Sequence, residues 1–313
     1  MTRRVLVTGG AGFIGSHVVD AYRAAGWSVT VLDALLKGHR RFVPDDVELH
    51  VIDIRSPEAR ALVAAGRFDV VNHQAAQMDV RVSVADPAFD ADTNVLGGIN
   101  LLEGARLGGV RRFVFASSGG VVYGEREPPA SEDTPKLPAS PYGVSKLASE
   151  YYLSVYRQLH GIEGVSMRYA NVYGPRQDPH GEAGVVAIFG ERVSRGEPLT
   201  VFGEGRQTRD YVFVGDVARA NVVASEVDLP TPTSLDCAAY NIGTGVETSV
   251  LSLAETFGKI VGRPIEIRHE PARAGELERS ALAIDKAWRE LDWRPAVPLE
   301  EGLRRTYEWI TGA

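Results

Sequence analysis

The chain has 313 residues, 24% of them charged, and a formal net charge of -7. That length allows a sizeable core and about two domains, or one large domain with a lobe, and the lack of a basic excess argues against nucleic acid as the main partner. A single cysteine, Cys237, excludes an internal disulfide and points to a reducing compartment, with the cytoplasm as the expected location.

The N-terminal run MTRRVLVTGGAGFIG begins like a signal peptide, but glycines at 9, 10, 12 and 15 break the apolar stretch and no small-residue cleavage site follows. No window approaches the roughly 18 apolar residues a membrane span needs, so no membrane is expected as a partner. The seven histidines show no HxxxH or HExxH spacing, and no metal is expected.

Short β-branched runs at Arg4–Thr8, Ser28–Asp33, Val47–Val51, Asp69–Asn72, Arg112–Ser117 and Gly164–Arg168 alternate with helical patterns such as Ser16–Ala25, Asn94–Leu107 and Pro141–His160. This rhythm predicts an α/β fold, a doubly wound parallel sheet of Rossmann type with helices on both faces. Beyond Tyr173 the texture changes to Gly- and Pro-rich turns, short strands at Leu199–Phe202 and Ile265–His269, and a last helix over Leu299–Thr311. A second, smaller α/β substrate-binding domain is expected there. The division places residues 1–173 plus about 212–236 in the dinucleotide domain and about 174–211 plus 237–313 in the smaller one. A cleft between them follows, because ligands of open α/β sheets sit beyond the carboxyl ends of the strands.

The first strand runs into TGGAGFIG, with Gly9, Gly12 and Gly15 spaced GxxGxxG at the opening of a helix. Glycines permit a tight turn and close backbone approach, and a helix N-terminus favours a pyrophosphate. Asp33 lies 18 residues beyond Gly15 at the end of the second strand. A carboxylate there accepts hydrogen bonds from a ribose diol and repels a 2′-phosphate, favouring NAD over NADP. Asp53, after the third strand, is within reach of an adenine amine.

At SPYGVSK, Ser140 is a preferred N-cap and Pro141 suits the first helical position. Tyr142 and Lys146, four apart, then share one helix face. A cation beside a phenol, together with a helix N-terminus, is expected to lower the phenol pKa and make Tyr142 a base. Only five of the 34 basic residues are lysines, so one at this position is notable.

With TGGAGFIGSH at 8–17, NHQAAQ at 72–77, SSGGVVYG at 117–124, YGVSK at 142–146, RYANVYGPRQDPHGEAGVVAIF at 168–189, RDYVFVGDVA at 209–218 and NIGTG at 241–245, the sequence resembles the extended short-chain dehydrogenase/reductase superfamily over nearly its whole length. Within it the chain looks like the NAD-dependent epimerase/dehydratase family and its UDP-glucose 4-epimerase group. The resemblance implies Ser118, Tyr142 and Lys146 as the catalytic set. Tyr142 would remove the proton of the sugar 4′-hydroxyl as hydride leaves C4′, and the 4-ketose would turn and be reduced on its other face, so that NAD is restored. It further implies that Phe13, Ile14, Asp53, Ile54, Ala75, Asn94 and Tyr169 line NAD. Asn171, Arg209 and Arg273 would contact the diphosphate of a UDP-sugar, and Glu276 the uridine ribose, at a position where the family usually has Asp.

Related 4,6-dehydratases carry Thr-Asp-Glu where this chain has Ser118-Gly119-Gly120, and glycines supply neither the acid nor the base that dehydration needs. Uronate epimerases and decarboxylases stay open as alternatives, as does, from another class, a dinucleotide-sensing protein without chemistry. The complete Ser-Tyr-Lys set argues against the sensor. Ser280 falls where some epimerases have a bulky tyrosine beside the sugar C2 substituent, so N-acetylated UDP-hexosamines are expected to fit. Apolar residues on Asn94–Leu107 and Pro141–His160 exceed what one sheet face requires, and family members pair these helices in a homodimer, which is expected here.

Overall fold

The computed structural model describes residues 2–180, 184–272 and 277–312. In the first half the β-branched runs form strands: β1 Arg4–Thr8, β2 Ser28–Leu32, β3 Glu48–His50, β4 Val70–His73, β5 Arg112–Ser118 and β6 Glu163–Tyr169. Later come β7 Asn171–Tyr173, β8 Leu199–Phe202, β9 Thr208–Phe213, β10 Ala239–Ile242, β11 Glu247–Ser249 and β12 Ile267–Glu270. A seven-stranded sheet runs in the order β10-β6-β5-β4-β1-β2-β3, and each pairing in it is parallel.

The strands are apolar almost throughout because both faces are covered. Helices Phe13–Ala24, Val214–Glu226 and Asp285–Leu291 bury Val18, Val19, Val217, Ala220 and Ala287 on one face. Pro57–Ala65, Gly97–Gly108 and Pro141–His160 bury Val63, Leu101, Leu102 and Leu153 on the other. The chain winds outward from β1 through β2 to β3, then returns beside β1 as β4 and continues the other way. The switch point lies between β1 and β4, and a crevice opens there at the carboxyl ends.

Two small sheets, β11-β9-β7 and β12-β8, form the rest with helices Val185–Ser194, Val250–Val261 and Leu299–Thr311. Their core gathers Phe189, Val201, Phe213, Leu253, Phe257 and Leu303.

Two expectations need correcting. Ala239–Ile242, read as part of the smaller domain, is the seventh strand of the large sheet, with Asn241 in register with Arg168. Helix Asp285–Leu291 follows it, and Ala287, Leu291 and Trp293 join the core on that sheet. A four-residue strand after a long excursion has no local signal that names its neighbour. The helix expected over Asn94–Leu107 begins instead as a π-helical turn at Asp92–Leu96 and becomes α-helical over Gly97–Gly108. Among the described residues no helix is long and apolar enough to cross a membrane, and no cluster of His, Cys, Asp and Glu has the geometry of a metal site.

Candidate active site

The glycine loop follows β1 at the switch point. Gly9 has φ +70° and lies so close to the loop after β4 that a Cβ would stand 2.6 Å from Ala75 N. Gly15 packs the new helix onto the turn, where a Cβ would fall 2.0 Å from Gly9 O. At Gly12 a Cβ would meet only Gly9 O, at 3.2 Å, so one side of the loop is open. The helix starts at Phe13, and the amides of Phe13 and Ile14 have no carbonyl one turn earlier to bond. A turn with free amides and an open glycine side fits a pyrophosphate.

Asp33, buried just after β2, accepts from Ala11 N at 3.0 Å and from Leu35 N at 2.8 Å. Both amides hold the carboxylate beside the loop, where it can meet a ribose. Two nearby cations are engaged elsewhere: Arg40 donates to Val43 O, and Arg41 lies over the Phe42 ring. This arrangement suits NAD better than a 2′-phosphate.

Asp53 is gripped by Arg55, whose Nη2 lies 2.7 Å from Oδ2, and this hydrogen bond holds the carboxyl below the usual range. Ile54 is buried against Gly97. Asn94 is nearly fully buried, and its amide pairs with the Gln77 backbone, accepting from N at 2.9 Å and donating to O at 2.8 Å. Tyr169 at the end of β6 bonds Asn221 and Gln74 through its hydroxyl. The polar atoms of Asn94 and Tyr169 therefore fasten the cleft walls.

Helix Pro141–His160 begins as expected, with Ser140 Oγ accepting from Gly143 N at 3.2 Å and Pro141 in the first turn. Gly143 permits close docking, because a Cβ there would meet Val121 O at 3.0 Å on the short helix Gly119–Val122 that Ser118 caps. Helix and β5 thus bring Tyr142, Lys146 and Ser118 to one edge. Lys146 is buried and donates to Ala116 O at 2.8 Å, two residues before Ser118, while its Nζ stands 5.6 Å from the Tyr142 ring centre. Burial lowers Lys146 to about 8, against the raising influence of Asp90 and Glu150.

The expected lowering of the Tyr142 pKa is not what the protein alone produces. Burial, and then the charge of Asp90, push the phenol up. Lys146 makes no hydrogen bond to it, its ammonium being directed at the Ala116 carbonyl and the Phe115 ring. The phenol therefore needs further positive charge to become a base near neutral pH.

On the facing wall, Asn171 is exposed at the start of β7 and pairs in register with Tyr211 of β9, two residues from Arg209. Arg209 donates to Thr208 O at 2.7 Å. Ser280 is partly buried between Arg279, which pairs with Glu247 and Glu127, and Leu282. Arg273 and Glu276 lie outside the described residues.

Several members of the site carried no local signal. Buried Asp210 accepts from the amides of Thr244, Gly245 and Leu282 and from Thr244 Oγ1 at 2.6 Å, tying β9, the NIGTG turn and the Ser280 segment together. Leu282 covers Gly119. Asp90, behind the Tyr142 helix, sits in the unremarkable stretch ADPAFDAD. Glu150 could have been found, since it falls one turn beyond Lys146 on the same face.

A doubly wound parallel sheet with a glycine loop at its switch point, an acid after β2 and a Ser-Tyr-Lys set at the carboxyl edge defines a dinucleotide-dependent enzyme that moves hydride at a carbinol carbon. The model of the NAD dependent epimerase/dehydratase family matches residues 5–243, and the chain belongs to that family. It is 47% identical to the UDP-glucose 4-epimerase of Mycolicibacterium smegmatis over 98% of each chain. The structure of Thermotoga maritima UDP-glucose 4-epimerase with UDP-glucose superimposes with a TM-score of 0.93, at 43% identity over 99% of each chain. The Thermus thermophilus enzyme in complex with NAD gives 0.90 at 47% identity, again over 99% of each.

Proposed function

We propose that this protein is an NAD-dependent UDP-sugar 4-epimerase acting on UDP-galactose and UDP-glucose. The observation that carries the reading is the convergence of Ser118, Tyr142 and Lys146 on one edge of the sheet, next to a glycine pair that leaves no acid for dehydration. The first glycine of that pair, Gly119, is sealed by Leu282, so the site is shaped against a larger side chain there.

NAD, when bound, supplies a reversible hydride acceptor and a positive charge. The glycine loop, the Phe13 and Ile14 amides and Asp33 would hold it. Tyr142 then exchanges the proton of the sugar 4′-hydroxyl, in both directions because the reaction returns to the alcohol level. Ser118, whose hydroxyl makes no hydrogen bond to a described residue, is placed to orient that hydroxyl. Lys146, fixed by the Ala116 carbonyl, supplies lasting positive charge. Asn171 and Arg209 are assigned to the diphosphate, where charge-assisted bonds give a nucleotide its anchor. Arg273 is assigned to the same subsite and Glu276 to the uridine ribose.

We assign residues 2–173, about 212–236, the strand Ala239–Ile242 and the stretch Asp285–Trp293 to the cofactor lobe, and the remainder to the nucleotide-sugar lobe. A homodimer is proposed through the helix pair Gly97–Gly108 and Pro141–His160. Their outer faces expose Leu107, Val144, Tyr151, Val155 and Leu159, an apolar patch of the kind that marks interfaces. Ultracentrifugation should return twice the chain mass, and Leu159→Glu with Tyr151→Glu should return the monomer.

The functional test is incubation of purified protein with UDP-galactose, without added NAD, and chromatography of the products. UDP-glucose should form, and Tyr142→Phe should abolish it. No conversion even with NAD supplied overturns the reading in favour of a uronate or N-acetylated substrate first and a sensor second.

A further inference from the structure

Asp90 is fully buried in the short helix Pro87–Ala91, and its carboxylate touches no lysine or arginine among the described residues. Oδ2 accepts from Ser145 Oγ at 2.6 Å, and Oδ1 accepts from Gln77 Nε2 at 2.9 Å and from Asn94 Nδ2 at 3.0 Å. Ser145 lies on the Tyr142 helix, three residues after the phenol and one before Lys146. A buried carboxylate held only by neutral donors is costly. A neutral asparagine would satisfy the same three partners, with Ser145 Oγ accepting instead of donating. The three contacts could thus be made without a buried charge.

We infer that Asp90 is the counter-anion of the Tyr142–Lys146 pair, holding Lys146 as an ammonium and Tyr142 as a phenol until the positive charge of the oxidised cofactor arrives. The base is thereby armed only in the loaded site. This rests on the reading of Tyr142 as the base. Asp90 acts through space and is a positioning residue for charge, not one that touches the sugar.

The other charged groups around the pair are engaged or neutral. Glu150, on the same helix, is paired with Arg168 at 2.6 Å. On β4, burial lowers His73 to about 3, so it is neutral near pH 7. Asp92 of the π-helical turn pairs with Arg55, and Asp79 of the preceding loop with Arg81. Asp90 leads Glu150 among the charges raising Lys146, and it is the charge that opposes ionisation of Tyr142.

The test is a pH titration of tyrosinate absorbance in the NAD-loaded protein, with the Tyr142→Phe titration subtracted to isolate the one phenol. Asp90→Asn should lower its midpoint by about one pH unit, raising the phenolate fraction about tenfold at a pH below both midpoints. Asp90→Ser, which removes the charge with a different shape, should shift it in the same direction. Ser145→Ala, which deletes a contact and keeps the charge, should leave it nearly unchanged. An unmoved midpoint in the two charge-removing variants, or an equal shift in Ser145→Ala, overturns the inference. The titration needs no substrate, so a wrong sugar assignment leaves it readable.

Discussion

Arg168 Nη2 and Glu150 Oε2 form an ion pair at 2.6 Å in which both side chains are wholly shut from water. The pair joins β6 to the helix that carries Tyr142 and Lys146. It extends to Asp236 at 2.7 Å, to the Tyr123 hydroxyl at 3.1 Å, and through Glu150 Oε1 to Ser117 Oγ at 2.5 Å, one residue before Ser118. The register of the catalytic helix against β5 and β6 is thus set by charge as well as by packing.

Removing Arg168 strands Glu150, whereas removing Glu150 leaves Arg168 its pair with Asp236. Arg168→Met should cost about 3–5 kcal/mol of stability in urea unfolding, and Glu150→Leu less, because Asp236 still faces the guanidinium. The double replacement should cost clearly less than the sum, because no unpaired charge is then left buried. Simple additivity would mean that the two side chains do not act as a pair.

Gly119 is covered by Leu282, whose Cδ1 would lie 2.5 Å from a Cβ placed there. Gly119→Ala should destabilise the protein by about 1–3 kcal/mol through overpacking and displace the segment bearing Ser280. Combined with Leu282→Ala, which by itself opens a cavity, it should cost less than the sum of the two single losses. The readout is thermal unfolding of these variants beside the parent.

His73 is buried beneath the site, with Nδ1 2.7 Å from Thr8 Oγ1, and burial lowers its pKa from 6.5 to about 3. Between those values the unfolded chain binds a proton that the native chain refuses, so stability falls as pH drops through this window. The contribution is about 2 kcal/mol lost between about pH 7 and about pH 5. His73→Asn, which keeps a polar partner for Thr8, should show a shallower loss when urea unfolding is compared at the two pH values. An identical slope would mean that His73 is not the group refusing the proton.

Ser280 is small and sits two residues before Leu282, on the segment that Asp210 holds against the NIGTG turn. Ser280→Tyr should reduce kcat/KM for UDP-N-acetylhexosamines about tenfold or more while leaving UDP-galactose within a few-fold, the scale of a steric discrimination. Comparable losses on both substrates would remove Ser280 from the C2 subsite.

Local chemistry made much of this legible. The strand at Arg4–Thr8, the glycine turn, Asp33 and the Ser140-Pro141 start of the long helix are short-range features, where steric freedom and capping act within a few residues. Side-chain destinations were less legible. The protein partners that hold the polar atoms of Asn94 and Tyr169 could not be read from the sequence, because a buried amide or hydroxyl finds partners wherever the fold offers them.

From the sequence alone came the parallel α/β class, the cofactor loop and the pairing of Tyr142 with Lys146, since each depends on residues adjacent in the chain or four apart on a helix, whereas Ser118 was named only through the family resemblance. The tertiary structure alone decided that Ala239–Ile242 completes the large sheet, that Leu282 closes over Gly119, and that burial of Tyr142, with Asp90 behind it, reverses the expected shift of its phenol. Strand pairing, packing and desolvation are sums over groups distant in the chain, and no spacing within a motif encodes them.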